Sequence, residues 1–206
     1  MSQIVESIRI ENKQFQNIDL HNERFQKARE SMFNELDTID LGKHIAIPSD
    51  ISNKRHKCRV TYDGNTLLYT IKPYHQRPVH SLRMVHIDHI DYSIKTDNRE
   101  QLDKAFALRN GCDDIIIVKN GFITDAWAAN IILFNGNKWH TPSTPLLRGI
   151  QREYLINTKK ILVKDITEKD LCDYTKIKLI NAMIDFNRAP EIEIPTGVFN
   201  EDKTIS

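Results

Sequence analysis

Gly121-Phe122-Ile123-Thr124-Asp125-Ala126-Trp127-Ala128-Ala129-Asn130 is the stretch on which the reading of this chain turns. It follows the aliphatic run Ile115-Ile116-Ile117-Val118, and Lys119-Asn120-Gly121 between the two has the composition of a tight turn, so two apolar strands are expected here. Asp125 is the one acid in a small, apolar setting. It should be at least partly buried, and a buried carboxylate needs a partner.

Working outward, Lys95 lies just past Asp91-Tyr92-Ser93-Ile94, and Leu102, Ala105 and Phe106 predict a helix from about Asn98 to Asn110. Further upstream, Ile4, Glu6, Ile8 and Ile10 alternate with Val5, Ser7 and Arg9, a strand pattern. Phe15 to Leu20 should return as a second strand, and a helix on Phe25, Ala28 or Arg29, Met32 and Leu36 should end near Asp37. Glu6 falls on the isoleucine face and reads as a strand-end acid reaching solvent. Cys58-Val60-Tyr62 and Leu67-Tyr69-Ile71 flank Asp63-Gly64-Asn65 as a hairpin, and Leu82 to Ile87 reads as one more strand.

Downstream, Asn135-Gly136-Asn137 marks another hairpin turn, and Gly149-Ile150 opens a helix to about Thr158. A short strand at Ile161 to Lys164 precedes a helix start at Thr167-Glu168-Lys169-Asp170, which has capping-box spacing. Ile177 to Ala182 reads as a last buried strand, with an irregular tail after Pro190. The fold class is α/β in the α+β sense, with a small α/β lobe over residues 1–88 and a larger mixed-sheet lobe over 89–206.

Twenty-nine Lys and Arg against 28 Asp and Glu leave a net charge of +1 with no like-charge run, which argues against a nucleic-acid groove or a membrane-binding face. Three dispersed cysteines without a CxxC pair, no basic leader and no apolar stretch of membrane-spanning length suit a cytoplasmic protein. There is no phosphate-cradling glycine fingerprint and no GxSxG elbow. His86 and His89 lie close together, but no cysteine or carboxylate set completes a metal site, so none is expected.

What remains is an ordered series of short words. Lys95-Thr96 stands before a helix, followed by "GCDDIIIV" from Gly111 to Val118, then Gly121 to Asp125, Ala128-Ala129-Asn130-Ile131 and Thr141-Pro142. Leu146-Leu147-Arg148-Gly149-Ile150-Gln151-Arg152 closes the series. Upstream is His21-Asn22-Glu23-Arg24-Phe25, and downstream Leu179-Ile180-Asn181-Ala182-Met183. In order and spacing this resembles the class IV aminotransferases, which use pyridoxal 5′-phosphate and include branched-chain and D-amino-acid aminotransferases and aminodeoxychorismate lyases.

The resemblance implies a role for each word. Lys95 would attach the cofactor through its amine and then move the Cα proton of the substrate. Asp125 would keep the pyridine nitrogen protonated, which supplies the missing cation. Arg24 would take the phosphate, the amides of Ile150 and Gln151 would form an anion site at a helix start, and Asn181 and Ala182 would complete the cup. Asn130 is assigned to the same cofactor site. The family also implies a small-molecule amino substrate and a homodimer, because its active sites lie at a subunit interface.

Compact size and the Asn181-Ala182-Met183 word look closer to the lyase branch, which eliminates pyruvate to give p-aminobenzoate. An aminotransferase on branched-chain or D-amino acids is the alternative, and a catalytically idle binding protein is another. Aspartate stands at 125 where the family usually has glutamate, Trp127 where a small residue is usual, and Ile132 where an aromatic is usual. Ile4 falls near the family's second strand, so an earlier strand is expected to be missing. Read without the family, Asp125 fits a turn residue, and Arg24 fits an exposed helix start paired with Asp19 or Glu23. Arg59 and Arg152 fit either anion ligands or solvated face residues.

Overall fold

A computed structural model describes residues 2–200 and the backbone of 203–204. The chain forms two compact units, residues 1–75 with 94–98 and residues 76–93 with 99–206.

In the first unit β1 (Ile4–Glu11) pairs antiparallel with β2 (Gln14–Phe15) and β3 (His56–Tyr62), and β3 pairs with β4 (Leu67–Pro73). Helix α1 (Ile18–Phe33) and the short α2 (Leu41–His44) complete it. The predicted second strand is only two residues long, because Asn17 takes a left-handed conformation (φ 55°) that ends the extended chain and opens the helix. His21, Phe25, Ala28 and Arg29 form the buried face of α1, at helical spacing. Ile4, Ile8, Ile10, Phe25, Cys58 and Val60 make the core beneath it, and burial pushes the Cys58 thiol up to about 12.

Arg29 ties the end of α1 to the chain that follows. It is 2% exposed, donates through Nη1 to the Asp37 carbonyl at 2.7 Å and through Nη2 to Glu35 Oε2 at 2.5 Å, and lies 5.2 Å from the Tyr62 ring centre. Removing one member of a buried ionic cluster strands the others. Arg29→Ala is therefore expected to lower stability by about 3 kcal/mol, the low end of the usual range, because Asp37 stays in solvent. Urea unfolding measures it, and a loss below about 1 kcal/mol would mark the cluster as surface decoration.

The second unit holds two five-stranded sheets. In chain order its elements begin with β5 (Leu82–His86), α3 (Glu100–Ala107), β6 (Asp114–Lys119), β7 (Phe122–Ile123), β8 (Asn130–Phe134), β9 (Trp139–Pro142) and α4 (Ile150–Asn157). They continue with β10 (Leu162–Lys164), a 3-10 turn at Glu168–Asp173, β11 (Lys176–Ile180), β12 (Glu191–Glu193), α5 (Ile194–Gly197), β13 (Val198–Asn200) and β14 (Lys203–Thr204). One sheet runs β10-β9-β8-β11-β12 and the other β14-β13-β5-β6-β7.

The aliphatic run is continuous because β6 is covered on both faces. Ile116 and Val118 pack with Leu133, Ile177 and Leu179, whereas Ile115 and Ile117 pack with Leu102 and Ala105 of α3. Asn120 and Gly121 turn the chain with φ of 51° and 79°, the pair of positive angles a two-residue hairpin requires. The second predicted apolar strand is interrupted. β7 stops at Ile123, and the chain makes a tight loop closed by an Asp125–Asn130 bridge and by the Ala126 amide donating to the Ala129 carbonyl at 2.9 Å.

The capping box at Thr167 and Asp170 is present, but it opens a 3-10 turn. Over residues 191–200 the tail after Pro190 is regular rather than irregular, since Ile192, Ile194 and Val198 are buried and β13 joins β5 in parallel; the end of the tail lies outside the described residues. Among the described residues no helix is long and apolar enough to cross a membrane, and no group of three or more His, Cys, Asp or Glu could hold a metal ion.

Candidate active site

Each unit carries part of the predicted site. Lys95 and Arg24 belong to the first unit, and Asp125, Asn130, Ile150, Gln151, Asn181 and Ala182 belong to the second.

In the second unit the Asp125–Asn130 loop aims both of its polar ends at the start of α4. Asp125 is 5% exposed and accepts from Asn130 Nδ2 at 2.7 Å and from the Leu147 amide at 3.0 Å. Asn130 Nδ2 also donates to the Leu147 carbonyl at 2.8 Å, so one buried amide locks the acid and the strand of chain before α4. Burial pushes the Asp125 carboxyl up to about 6, against the pull of the Leu147 and Asn130 donors and the more distant Arg152 charge. Among the described residues no cation pairs with it. The buried acid expected from the sequence is therefore present, and it is neither a turn decoration nor ion-paired within the described residues. This donor set fits a protonated pyridine nitrogen, because a cation in direct contact is the component that the carboxylate lacks.

Gly149 makes the arrangement possible through space, not conformation. Its backbone is ordinary (φ −75°, ψ 145°), but a Cβ there would lie 1.9 Å from Asn130 Oδ1. Gly149→Ala must push Asn130 off Asp125 and Leu147, an overpacking expected to cost about 1–3 kcal/mol. Thermal unfolding measures the loss, and a wild-type melting temperature would show that Asn130 yields without penalty. After Gly149 the first amides of α4 have no intrahelical acceptor, and Ile150 and Gln151 are each 2% exposed. Asn181 donates to the Ala128 carbonyl at 2.9 Å, and its Oδ1 accepts from the Met183 amide at 2.9 Å, which holds the end of β11 and the half-buried Ala182 against the same loop.

Trp127 does not turn toward this carboxylate cluster. Its ring stacks on Phe106 of α3 at 4.4 Å, and its indole N–H donates to Asp103 at 2.7 Å. With Arg77, Phe106 and Arg109 it walls a separate surface cleft of about 520 Å³. The indole bulk is therefore directed at α3 and not at Asp125. Arg152 is 5% exposed and is spent on the chain, donating to Thr141 Oγ1 at 3.2 Å, the Pro142 carbonyl at 2.9 Å and Glu153 at 2.7 Å. It is therefore not a solvated face residue, whereas Arg59 is exposed on β3.

In the first unit the segment carrying Lys95 runs beside β1. The Lys95 carbonyl accepts from the Val5 amide at 2.8 Å, and Thr96 bridges to Ile4. The Lys95 side chain is half-buried. Arg24 pairs not with an exposed neighbour but with Glu6, through Nε at 2.7 Å and Nη2 at 2.6 Å. Glu6 also meets His21 Nδ1 at 2.6 Å. The strand-end reading of Glu6 is thus overturned: it is 1% exposed, because α1 covers that face of β1 and brings two basic side chains to it. Burial works against its ionisation, but Arg24 and His21 outweigh it and hold the carboxyl well below the usual carboxylate range.

The amino-transferase class IV family model matches residues 3–192. A crystal structure of a candidate 4-amino-4-deoxychorismate lyase from Haemophilus somnus is 34% identical, covers 89% of this chain and 97% of its own, and superposes with a TM-score of 0.83. An uncharacterized protein of Haemophilus influenzae is 35% identical over 89% of this chain and 98% of its own. At 16% identity, a hypothetical aminotransferase from Mycobacterium tuberculosis solved with pyridoxal phosphate bound shares the fold, with a TM-score of 0.76 over 99% of this chain and 83% of its own. The chain belongs to the class IV aminotransferase family of pyridoxal-phosphate-dependent enzymes.

Proposed function

We propose that the protein is an aminodeoxychorismate lyase-like enzyme that binds pyridoxal 5′-phosphate. It would remove a Cα proton from a small amino substrate and release pyruvate to leave p-aminobenzoate. The observation that carries the cofactor reading is the buried Asp125 carboxylate, which is hydrogen-bonded but paired with no cation among the described residues. The lyase branch is supported by the similarity to the candidate lyase from Haemophilus somnus. When bound, the cofactor supplies a protonated ring that accepts the electrons left at Cα.

The chain's own residues do the rest. Lys95 would hold the cofactor through its amine and would carry the Cα proton of the substrate. Asp125 holds the proton on the ring nitrogen, and Asn130 holds Asp125. Arg24 and the amides of Ile150 and Gln151 bind the phosphate, with Asn181 and Ala182 closing the cup. The enzyme works as a homodimer in the cytoplasm, where its three free cysteines stay reduced.

The test is product analysis on the holoenzyme. Given aminodeoxychorismate, it is expected to release p-aminobenzoate and pyruvate in equal amounts. Transfer of the amino group to a keto acid without p-aminobenzoate would assign an aminotransferase, and no turnover of either kind would refute both reactions.

A further inference from the structure

Three titratable groups of the first unit converge at one point, and the proposed function uses only one of them. Glu6 receives the Arg24 guanidinium side-on, Nε on Oε1 at 2.7 Å and Nη2 on Oε2 at 2.6 Å. The same Oε2 meets His21 Nδ1 at 2.6 Å. The Glu6 and His21 side chains are 1% and 0% exposed, and that of Arg24 is 17% exposed.

The protonation pattern follows from the geometry. A carboxylate can only accept, so the proton between Glu6 and a neutral His21 sits on Nδ1, which leaves Nε2 as a bare acceptor. Burial holds the imidazole below its usual range, and the Arg24 and Lys95 charges add to that against the pull of Glu6. Nε2 is buried and meets no hydrogen-bond partner. His21 is therefore a neutral brace on the carboxylate, not a second cation competing for an anionic ligand.

A buried carboxylate costs several kcal/mol to desolvate, and an apolar side chain at position 6 would complete the isoleucine face without that cost. What the acid adds is a two-point pairing that fixes a guanidinium plane, as a single contact would not. We propose that Glu6 is a positioning residue: with His21 as its brace, it fixes the Arg24 guanidinium in the orientation that meets the cofactor phosphate. This rests on the reading of Arg24 as a phosphate ligand.

The test compares the affinity of the apo protein for pyridoxal phosphate and for pyridoxal, which lacks the phosphate, in wild type, Glu6→Gln, Glu6→Asp and Arg24→Gln. Glu6→Gln is expected to weaken pyridoxal phosphate binding by about ten-fold or more, a charged hydrogen bond's worth, and to leave pyridoxal binding unchanged. The double variant with Arg24→Gln should bind no more weakly than Arg24→Gln alone, since the acid acts only through the arginine. Glu6→Asp keeps the charge but withdraws it, so it should show a smaller loss of the same selectivity, and it carries the test if Glu6→Gln does not fold. A phosphate-selective loss in Arg24→Gln with wild-type affinity in the folded Glu6 variants overturns the positioning role. Equal losses for both ligands in the Glu6 variants overturn it too, by assigning Glu6 to the fold of β1. If Arg24→Gln itself shows no phosphate-selective loss, the reading of Arg24 is what fails.

Discussion

Lys95→Ala is expected to abolish covalent attachment of pyridoxal phosphate and to leave the fold intact. The two outcomes separate because the segment's backbone contacts to β1 do not depend on the side chain at position 95. The Lys95 carbonyl takes the Val5 amide and Thr96 bridges Ile4, contacts that survive any side chain at position 95. Borohydride reduction of the wild type with cofactor should leave a stable label on the peptide containing Lys95, found by mass spectrometry after digestion. The variant should carry none, and it should lose at least about 10²–10⁴-fold in turnover, the worth of a positioned proton carrier. A label retained on the variant would reassign the attachment site.

How far the sequence can be read is clear at β1 and at the Asp125 loop. Strand and helix periods located β1, α1 and β3, where the residues in period, the isoleucines of β1, Phe25 and Ala28 of α1 and Cys58, Val60 and Tyr62 of β3, are buried. The same rule misplaced Glu6. Alternation says which face a residue is on, but not that a helix 15 residues later delivers His21 and Arg24 to that face. An acid among isoleucines, with a histidine and an arginine three residues apart downstream, was the available signal. At the Asp125 loop, the sequence showed a buried acid in need of a partner. It did not show that the Leu147 amide and Asn130 would be its donors, or that Gly149 is needed for room. The Leu147 and Gly149 contacts join residues 22 and 19 positions apart, which no local pattern encodes. Trp127 misled for a related reason: its bulk was legible, but its direction is set by Phe106 and Asp103 on α3.

Asp125→Asn should move stability and function in opposite directions above pH 6. In the wild-type apo protein the carboxyl titrates at about 6 instead of the ordinary 3.8, so the folded state holds its proton more tightly than the unfolded chain does. Its contribution to stability is complete below about pH 4 and is lost as pH rises through about 6, a change of roughly 3 kcal/mol. Asparagine carries no charge at any pH, so the variant lacks that loss. It has a fixed defect instead, because its NH₂ must face either the Leu147 amide or the Asn130 amide, at about 1–3 kcal/mol. The variant should thus be less stable than wild type at pH 4 and match or exceed it at pH 7.5. Other groups titrate in the same range, so the difference between the two proteins in urea unfolding is the quantity to follow. A pyridinium facing the acid reverses the wild-type slope: it favours the ionised carboxylate, and the cofactor should raise the melting temperature more at pH 7.5 than at pH 5. In the variant that increment should be smaller and lack this component, and turnover should fall by about 10²-fold or more, because an amide does not hold the ring nitrogen protonated. If the apo proteins instead keep a constant difference from pH 4 to 7.5, Asp125 is not a buried acid waiting for a cation. The cofactor would then have to find its counter-charge elsewhere.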